Sequence, residues 1–488
     1  MSYRCLSITE FFISTAMLLG AGLDAEPTMA TSRDRPNILL VLSDDQSAPH
    51  LGCYDNPDLK TPHLDRFAAE GMRFDRMYVA SPQCVLARAS IMTGQSPLKT
   101  RMMRFSAPLR KRHVTFPELL RAAGYFTGVV GRIHHLDGHN AIGSEVTRRV
   151  FAEHDLVTFP ERVDFCRIAD GGAGHIEQLV AFLDATPSDK PGFAQLSFDD
   201  PHRPLDEKAV DEPHDPQQLT LPPHLPDTRL VRDDFARYYD EIARLDADFG
   251  RVMDLLEKRE QLDNTLVMFM GDNGGALLRG KGTLYERGLH VPMIIRWKGV
   301  ASPGSTTAVL LSSEDIAPTF LDAAGLPPHD RMTGASFLPA LRGEPFAGRE
   351  RVFAARGTHG YNLPMHTADF DLSRCIRTRR HKLIYNPLWQ LPFKPVDLFA
   401  SPVWRDLEEM HLTGRLPALF SRLYFAPQRP IFELYDLQDD PYELDNLIAQ
   451  PESAELEQRL KEDLCEWMIV EEDYVPLPIP DFNPFLKR

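Results

Sequence analysis

Four short, largely apolar runs, each ending in a polar cluster and each followed by a helical pattern, constrain this chain more than any other feature. Residues 37–42 (NILLVL) run into Ser43, Asp44 and Asp45, and residues 125–130 run into Gly131, Arg132, Ile133 and His134. Residues 193–198 run into Asp199, Asp200, Pro201 and His202, and residues 265–270 into Gly271, Asp272 and Asn273. Runs without polar alternation suit strands buried on both faces, and helices between such strands imply parallel crossovers. The format predicts an α/β fold, with a mostly parallel central sheet flanked by helices.

Caps place the helices. Thr61 with Pro62 leads a helix over residues 64–69, and Thr115 leads one over 119–123 that stops at Gly124. A longer helix is expected from about 233 to 259, where Phe235, Tyr238, Tyr239, Ile242 and Leu245 recur at helical spacing. Beyond about residue 350 the segments shorten to β-type runs such as 351–355 and 382–385, before a last helix over roughly 454–468. We therefore expect a signal peptide and linker over 1–34, a large α/β domain over 35–350 and a smaller α+β domain over 351–488.

Residues 11–23 form an apolar stretch after Arg4 that has the length of a signal-peptide core and is too short for a stable membrane span. Export follows from this reading, to the periplasm or beyond the cell; a true start at Met29 would instead leave the protein cytoplasmic. Lys and Arg total 54 against 70 Asp and Glu, a net charge of −16, which argues against a nucleic-acid partner. The six cysteines, Cys5, Cys53, Cys84, Cys166, Cys375 and Cys465, include no CxxC pair. Removing the leader leaves five, so at least one thiol must be free or otherwise used.

In open α/β sheets, loops at the carboxyl ends of strands converge on a crevice. Singly, Asp44-Asp45, His134, His202 and Asp272-Asn273 read as turn or cap residues. Brought together, the three carboxylates and the Asn273 amide would form an all-oxygen site, which favours Ca²⁺ or Mg²⁺ over Zn²⁺. Ca²⁺ tolerates an irregular donor set better and is preferred. Cys84 opens the segment 83–94 (QCVLARASIMTG), which reads as a helix start where the macrodipole favours anions. Arg88 lies one turn on, on the same face, where it could steady a negative charge. Cys84 as a small buried hydrophobe is the competing reading.

Residues 275–281 (GALLRGK) imitate a phosphate-binding loop, but Gly282 stands where Ser or Thr is needed, and Gly288 and Pro292 forbid the long helix that should follow. Lys281 is better read as a cation near the Asp272 loop. Between Lys99 and Arg121, seven basic residues face one acid, Glu118: either a solvated loop or a positive mouth for an anionic ligand.

Taken together, these motifs resemble the formylglycine-dependent sulfatases of the alkaline phosphatase superfamily over about residues 36–470. Arg35-Pro36-Asn37 through Asp44-Asp45 resembles that family's first strand and metal loop, and Thr61-Pro62-His63-Leu64-Asp65 its next helix start. Residues 84–94 and 124–134 stand at its two signatures, and Gly271-Asp272-Asn273-Gly274 at its second metal loop. Leu434-Tyr435-Asp436, Asp440-Pro441 and Asn446-Leu447 resemble its C-terminal domain. Asp200-Pro201-His202-Arg203 and residues 391–402 are most similar to the sulfamidases, or heparan N-sulfatases, whereas residues 357–369 depart from that group. Leu86 stands where the nucleophile motif has Pro, Ala87 where Ser is usual, and Arg132 where Lys is expected.

The resemblance implies a sulfated carbohydrate as substrate, attacked at an ester or N-sulfate by formylglycine made from Cys84 by the formylglycine-generating enzyme. It implies a cation held by Asp44, Asp45, Asp272 and Asn273, with Arg88, Arg132 and Lys281 stabilising charge. His202 with Lys281 would protonate the leaving atom, and His134 would take a proton from the second hydroxyl. Two readings stay open beside it: a pseudo-sulfatase whose Cys84 remains a thiol, and a phosphodiester or phosphonate hydrolase.

Overall fold

The structure, a computed structural model, describes residues 35–105, 108–132, 145–168, 174–360 and 365–478. The apolar stretch 11–23, Met29, Cys5 and His134 lie outside the described residues. In chain order the strands are β1 (Asn37–Ser43), β2 (Met72–Phe74), β3 (Met77–Tyr78), β4 (Phe126–Gly131), β5 (Phe165–Ile168), β6 (Gly192–Ser197), β7 (Thr265–Gly271) and β8 (His290–Val291). They continue as β9 (Met293–Arg296), β10 (Ser305–Thr307), β11 (Leu311–Ser312), β12 (Val352–Ala355), β13 (Arg374–Arg377), β14 (His381–Tyr385) and β15 (Phe432–Asp436).

The central sheet has the order β10-β2-β9-β7-β1-β6-β4-β5. The four apolar runs expected as buried strands are β1, β4, β6 and β7, and they are contiguous at its middle, all parallel. Both faces of β1 are covered. Leu40 and Leu42 pack with Val85, Ile91, Ile316 and Phe320 on one side, while Leu39 and Val41 pack with Phe235, Ile242 and Leu245 on the other. That two-sided burial is why the run carries no alternation. β9 pairs antiparallel with both β7 and β2, so the sheet is mostly parallel, as expected, with an antiparallel insertion.

Register matters more than strand count for the site. Ser43 lies opposite Gly271, Leu42 opposite Ser197, and Ser197 opposite Gly131, so four carboxyl ends finish level. The helices between them follow their caps. Pro62–Glu70 begins on Pro62, and Phe116–Ala122 carries a Thr115–Glu118 capping box before Gly124, whose φ of 100° only glycine adopts readily. Arg229–Lys258 starts four residues earlier than its apolar period suggests, because the Thr228 hydroxyl accepts from the Val231 N–H at 3.3 Å.

β12 to β15 form an antiparallel sheet covered by the helix Ala454–Val470, whose Leu460, Leu464 and Met468 pack on Ile376, Leu383 and Leu434. Its other face, with Ala354, Cys375, Ile384 and Tyr435, joins the core beneath the central sheet. Between β14 and β15 the chain returns over the long helix: Trp404, Leu407 and Tyr424 pack among Phe235, Tyr239 and Leu245. Among the described residues no helix is long and apolar enough to cross a membrane. All five described cysteines are free.

Candidate active site

The level strand ends bring the described sequence candidates into one largely buried cluster. Asp44 and Asp45 follow β1. The Asp44 N–H donates to Asp200 O at 3.0 Å, and the Asp45 N–H donates to Asp272 Oδ1 at 3.0 Å, so the three strand-end loops are stitched together by backbone donors. Asp45 has a φ of 69°, a left-handed conformation that aspartate tolerates, and its carbonyl accepts from the Tyr238 hydroxyl at 2.8 Å. Gly131 ends β4 at a φ of 87°, and a Cβ there would lie 2.1 Å from Ser197 O, so the sharp turn that delivers Arg132 requires glycine.

Cys84 is the first residue of the helix Cys84–Thr93, after Gln83 in extended conformation. The Gln83 amide donates to Thr358 O at 3.0 Å and accepts from the Gly357 N–H at 2.9 Å, fixing the helix start to the chain beyond β12. The Cys84 thiol donates to Asp44 Oδ1 at 3.4 Å and sits 3.7 Å from Asp45 Oδ1. Burial first, then the Asp44 carboxylate, push its pKa well above the ordinary thiol value. As a cysteine this side chain is a neutral, weak nucleophile.

The cations interleave with the carboxylates. Arg88, 1% exposed, donates through Nε to Asp272 Oδ2 at 2.8 Å, through Nη2 to Asp44 Oδ2 at 3.2 Å, and through Nη1 to Ser197 Oγ and Arg132 O. The negative charges that it steadies are therefore those of Asp272 and Asp44, beside the start of the Cys84 helix. Arg132 Nε lies 2.9 Å from Asp44 Oδ2, and its Nη2 lies 3.3 Å from His202 Nε2. Lys281 Nζ sits 2.8 Å from Asp45 Oδ2 and 2.8 Å from Asp397 Oδ2. The phosphate-loop imitation at 275–281 is a tight non-helical loop, in which Lys281 N–H donates to Gly275 O at 2.7 Å.

Charge pairing divides the carboxylates. Burial works against the Asp44 charge, but Arg132, His202, Arg88 and Lys281 outweigh it and hold its pKa below the usual range. Burial pushes Asp45 up to about 6 against the pull of Lys281, and burial with Asp44 pushes Asp272 up to about 6 against Arg88. Burial and then Lys281 lower His202 to about 4, so its imidazole is neutral near pH 7. Its Nδ1 faces Arg203 O, which leaves Nε2 turned toward Asp45 and Asp397 at 3.7 and 3.9 Å.

Asp44, Asp45, Cys84 and His202 place their donor atoms within 4.8 Å of one another, a spacing that could hold a metal ion. Asn273 strengthens the case. Its Nδ2 donates to Asp45 Oδ1 at 2.8 Å, while its fully buried Oδ1 has no hydrogen-bond partner. A buried amide oxygen left without a donor is costly unless a cation or water meets it. The oxygen-rich donor set therefore fits a hard divalent cation.

Several site residues escaped the strand-end reasoning. Asp397 pairs with Lys281 and lies 3.4 Å from His359 Nε2. Asp199, which stands in the strand-end cluster after residues 193–198 but received no role there, lies 3.4 Å from Arg132 Nη1. Asp397 falls inside residues 391–402, a segment singled out for its likeness to sulfamidases, yet no local pattern marked that aspartate. Beside His202 and Asp397 a cleft of about 600 Å³ opens, lined also by Arg203, Leu205, Arg229, Arg237 and Pro402. The basic stretch only borders the site: Phe105 packs edge-on against His359 at 4.7 Å, while Arg104, Arg110, Lys111 and Arg112 are exposed.

Comparisons with known proteins place the chain in a family. The family described as Sulfatase matches residues 36–326, and the C-terminal region of N-sulphoglucosamine sulphohydrolase matches residues 278–399. Human N-sulphoglucosamine sulphohydrolase is 28% identical over 491 residues, covering 89% of this chain and 90% of its own. A structure solved in complex with its substrate D-glucosamine-2-N,6-O-disulfate has a TM-score of 0.67 at 21% identity, over 91% of this chain and 99% of that one. The phosphonate monoester hydrolase of Agrobacterium radiobacter also gives 0.67, at 20% identity over 90% and 96%, a likeness of fold alone.

Proposed function

The chain belongs to the sulfatase family, and we propose that it hydrolyses sulfate esters or N-sulfates of a carbohydrate, with N-sulfoglucosamine the first substrate to test. The observation that carries this reading is the place of Cys84: a helix-opening side chain touching Asp44 and Asp45, ringed by Arg88, Arg132, Lys281 and His202. The catalytic domain spans 35–350, the segment 351–488 completes the site with Asp397, and a leader over 1–34 directs export.

Asp44, Asp45, Asp272 and Asn273 would hold Ca²⁺, which when bound neutralises sulfate oxygens and favours ionisation of an attacking hydroxyl. Formylglycine, made from Cys84 by the formylglycine-generating enzyme, supplies the geminal hydroxyls that the thiol lacks. Lys281, paired with Asp45 and Asp397, and Arg132, paired with Asp44 and near Asp199 and His202, direct their remaining N–H groups to the sulfate. His202 keeps Nδ1–H toward Arg203 O, so Nε2 of the neutral ring is an acceptor and delivers a proton to the departing oxygen or nitrogen only after taking one up; Lys281 Nζ, charged and within the same cluster, is the donor beside it. His134 takes the proton of the second hydroxyl.

Sulfate release from N-sulfoglucosamine and glucosamine 6-sulfate, assayed on protein co-expressed with the converting enzyme, tests the activity. Peptide mass at residue 84 tests the chemistry; an unmodified thiol with no release from either sugar would sink the proposal. Leu86→Pro is expected to raise the modified fraction several-fold without harming the fold. Leu86 is the third residue of its helix, and the ladder begins with Ala87 N–H donating to Gln83 O at 2.9 Å, so proline there sacrifices no helical bond. An unchanged modified fraction would show that Leu86 does not limit conversion.

Cation binding has its own readout. With Asp45 and Asp272 each raised to about 6 from 3.8, the folded state holds protons that the unfolded chain has released, so stability falls as pH rises from 3.8 through about 6. A bound cation offsets that loss. Ca²⁺ at about a hundred times its Kd should add about 2.7 kcal/mol, or about 3 °C in Tm for a chain this size, more at pH 7.5 than at pH 5. EDTA should reverse it; a Tm indifferent to Ca²⁺ and Mg²⁺ at pH 7.5 would exclude the assignment.

A further inference from the structure

We propose that Asp397 is a positioning residue that holds Lys281 at the leaving-group side of the reaction centre; this rests on the sulfatase reading. Lys281 Nζ lies 2.8 Å from both Asp45 Oδ2 and Asp397 Oδ2, on a side chain 1% exposed, so its direction is set by the balance of two carboxylates. Asp45 belongs to the cation cluster. Asp397 stands opposite, one-quarter exposed, where the cleft begins. With Asp397 gone, Lys281 would fold onto Asp45 and the cation cluster, away from the place where the sugar departs.

Asp397 is itself held firmly. Its backbone is left-handed, with a φ of 57°, between Val396 and Leu398, both buried. Val396 presses against Gly282, where a Cβ would lie 2.2 Å from Val396 Cγ2, so the residue after Lys281 and the residue before Asp397 are in contact. His359 Nε2 approaches Asp397 Oδ1 at 3.4 Å, and Phe105 buttresses His359 edge-on. Asp397 Oδ2 also lies 3.9 Å from His202 Nε2, so one carboxylate faces both donors. When the S–O or S–N bond breaks, its electron pair stays on the leaving atom, and sulfur gains a bond to the hydroxyl oxygen at residue 84. The leaving atom takes its proton from Lys281 Nζ, or from His202 Nε2 when that ring carries both protons, and Asp397 keeps these two atoms within reach of it.

A positioning role on that side predicts a loss graded by leaving group. In Asp397→Asn, kcat should fall about 100-fold on N-sulfoglucosamine and glucosamine 6-sulfate, whose leaving atoms need a proton. On 4-nitrophenyl sulfate, whose phenolate departs with little help, it should fall about fivefold, with KM within about threefold throughout. Asp397→Glu, which keeps the charge, should recover at least about a tenth of the lost turnover. Equal losses on all three substrates, or a rise in KM with kcat kept, would overturn the proposal. Wild-type turnover of 4-nitrophenyl sulfate tests the sulfatase reading by itself; the ratio between substrates in the variant tests Asp397. Variants are compared at equal Tm and equal modified fraction at residue 84.

Discussion

Cys84→Ala is expected to lower sulfate release by at least about 10⁴-fold while leaving the Ca²⁺-dependent rise in Tm intact. Removing a covalent nucleophile costs most of the chemical rate, because the remaining charges bind substrate but attack nothing. The structure separates this from a folding effect. Cys84 is 1% exposed in the first helical turn, and alanine keeps the helix, deletes one sulfur and costs about 1 kcal/mol. Asp44 loses only a weak thiol donor at 3.4 Å and keeps Arg88 and Arg132. Unconverted protein should match the alanine variant, since burial and Asp44 hold the thiol protonated. Activity should therefore scale with the fraction of residue 84 that is modified. Retention of more than about a hundredth of the wild-type rate by the alanine variant would place the nucleophile elsewhere.

What could be read from sequence divides along a physical line. β1, β4, β6 and β7 were legible because two-sided burial removes polar alternation, and their loops were legible because parallel strands must end on one side of the sheet. Asp44, Asp45, Arg132, His202, Asp272 and Asn273 follow from that one inference. β2, β9 and β10 are three or four residues long, too short to show a period, and their pairing depends on distant partners. Arg88 was placed correctly one turn from Cys84, but spacing cannot say that Asp44 and Asp272 lie within reach of its guanidinium. Asp397 and His359 are harder still. Each sits in irregular chain beyond β12, and only the contacts of Gln83 with Gly357 and Thr358 and of Val396 with Gly282 bring them to Lys281.

The second large effect is expected at Arg88, where charge and fold are the same problem. Arg88→Met keeps the length and apolar stem but leaves Asp44 and Asp272 buried without their shared guanidinium. Breaking a buried pair by deleting one partner costs about 3–5 kcal/mol, which for a chain of this length is about 3–5 °C in Tm. The sign with pH follows from the carboxylates. Asp272 is already raised to about 6 with Arg88 present and titrates higher without it, so its share of the loss is small near pH 5 and full at pH 8, whereas Asp44, held below the usual range, contributes its share at both. Turnover should fall at least about 10³-fold, since the same guanidinium also fixes Ser197 and the Arg132 carbonyl. Arg88→Lys should recover much of the stability and little of the rate, because one ammonium cannot reach Asp44, Asp272, Ser197 and Arg132 O together. Added Ca²⁺ should raise Tm more in Arg88→Met than in the wild type, as the cation meets two carboxylates with less competing charge. A variant whose Tm falls equally at pH 5 and pH 8 would show that Asp272 does not titrate against Arg88.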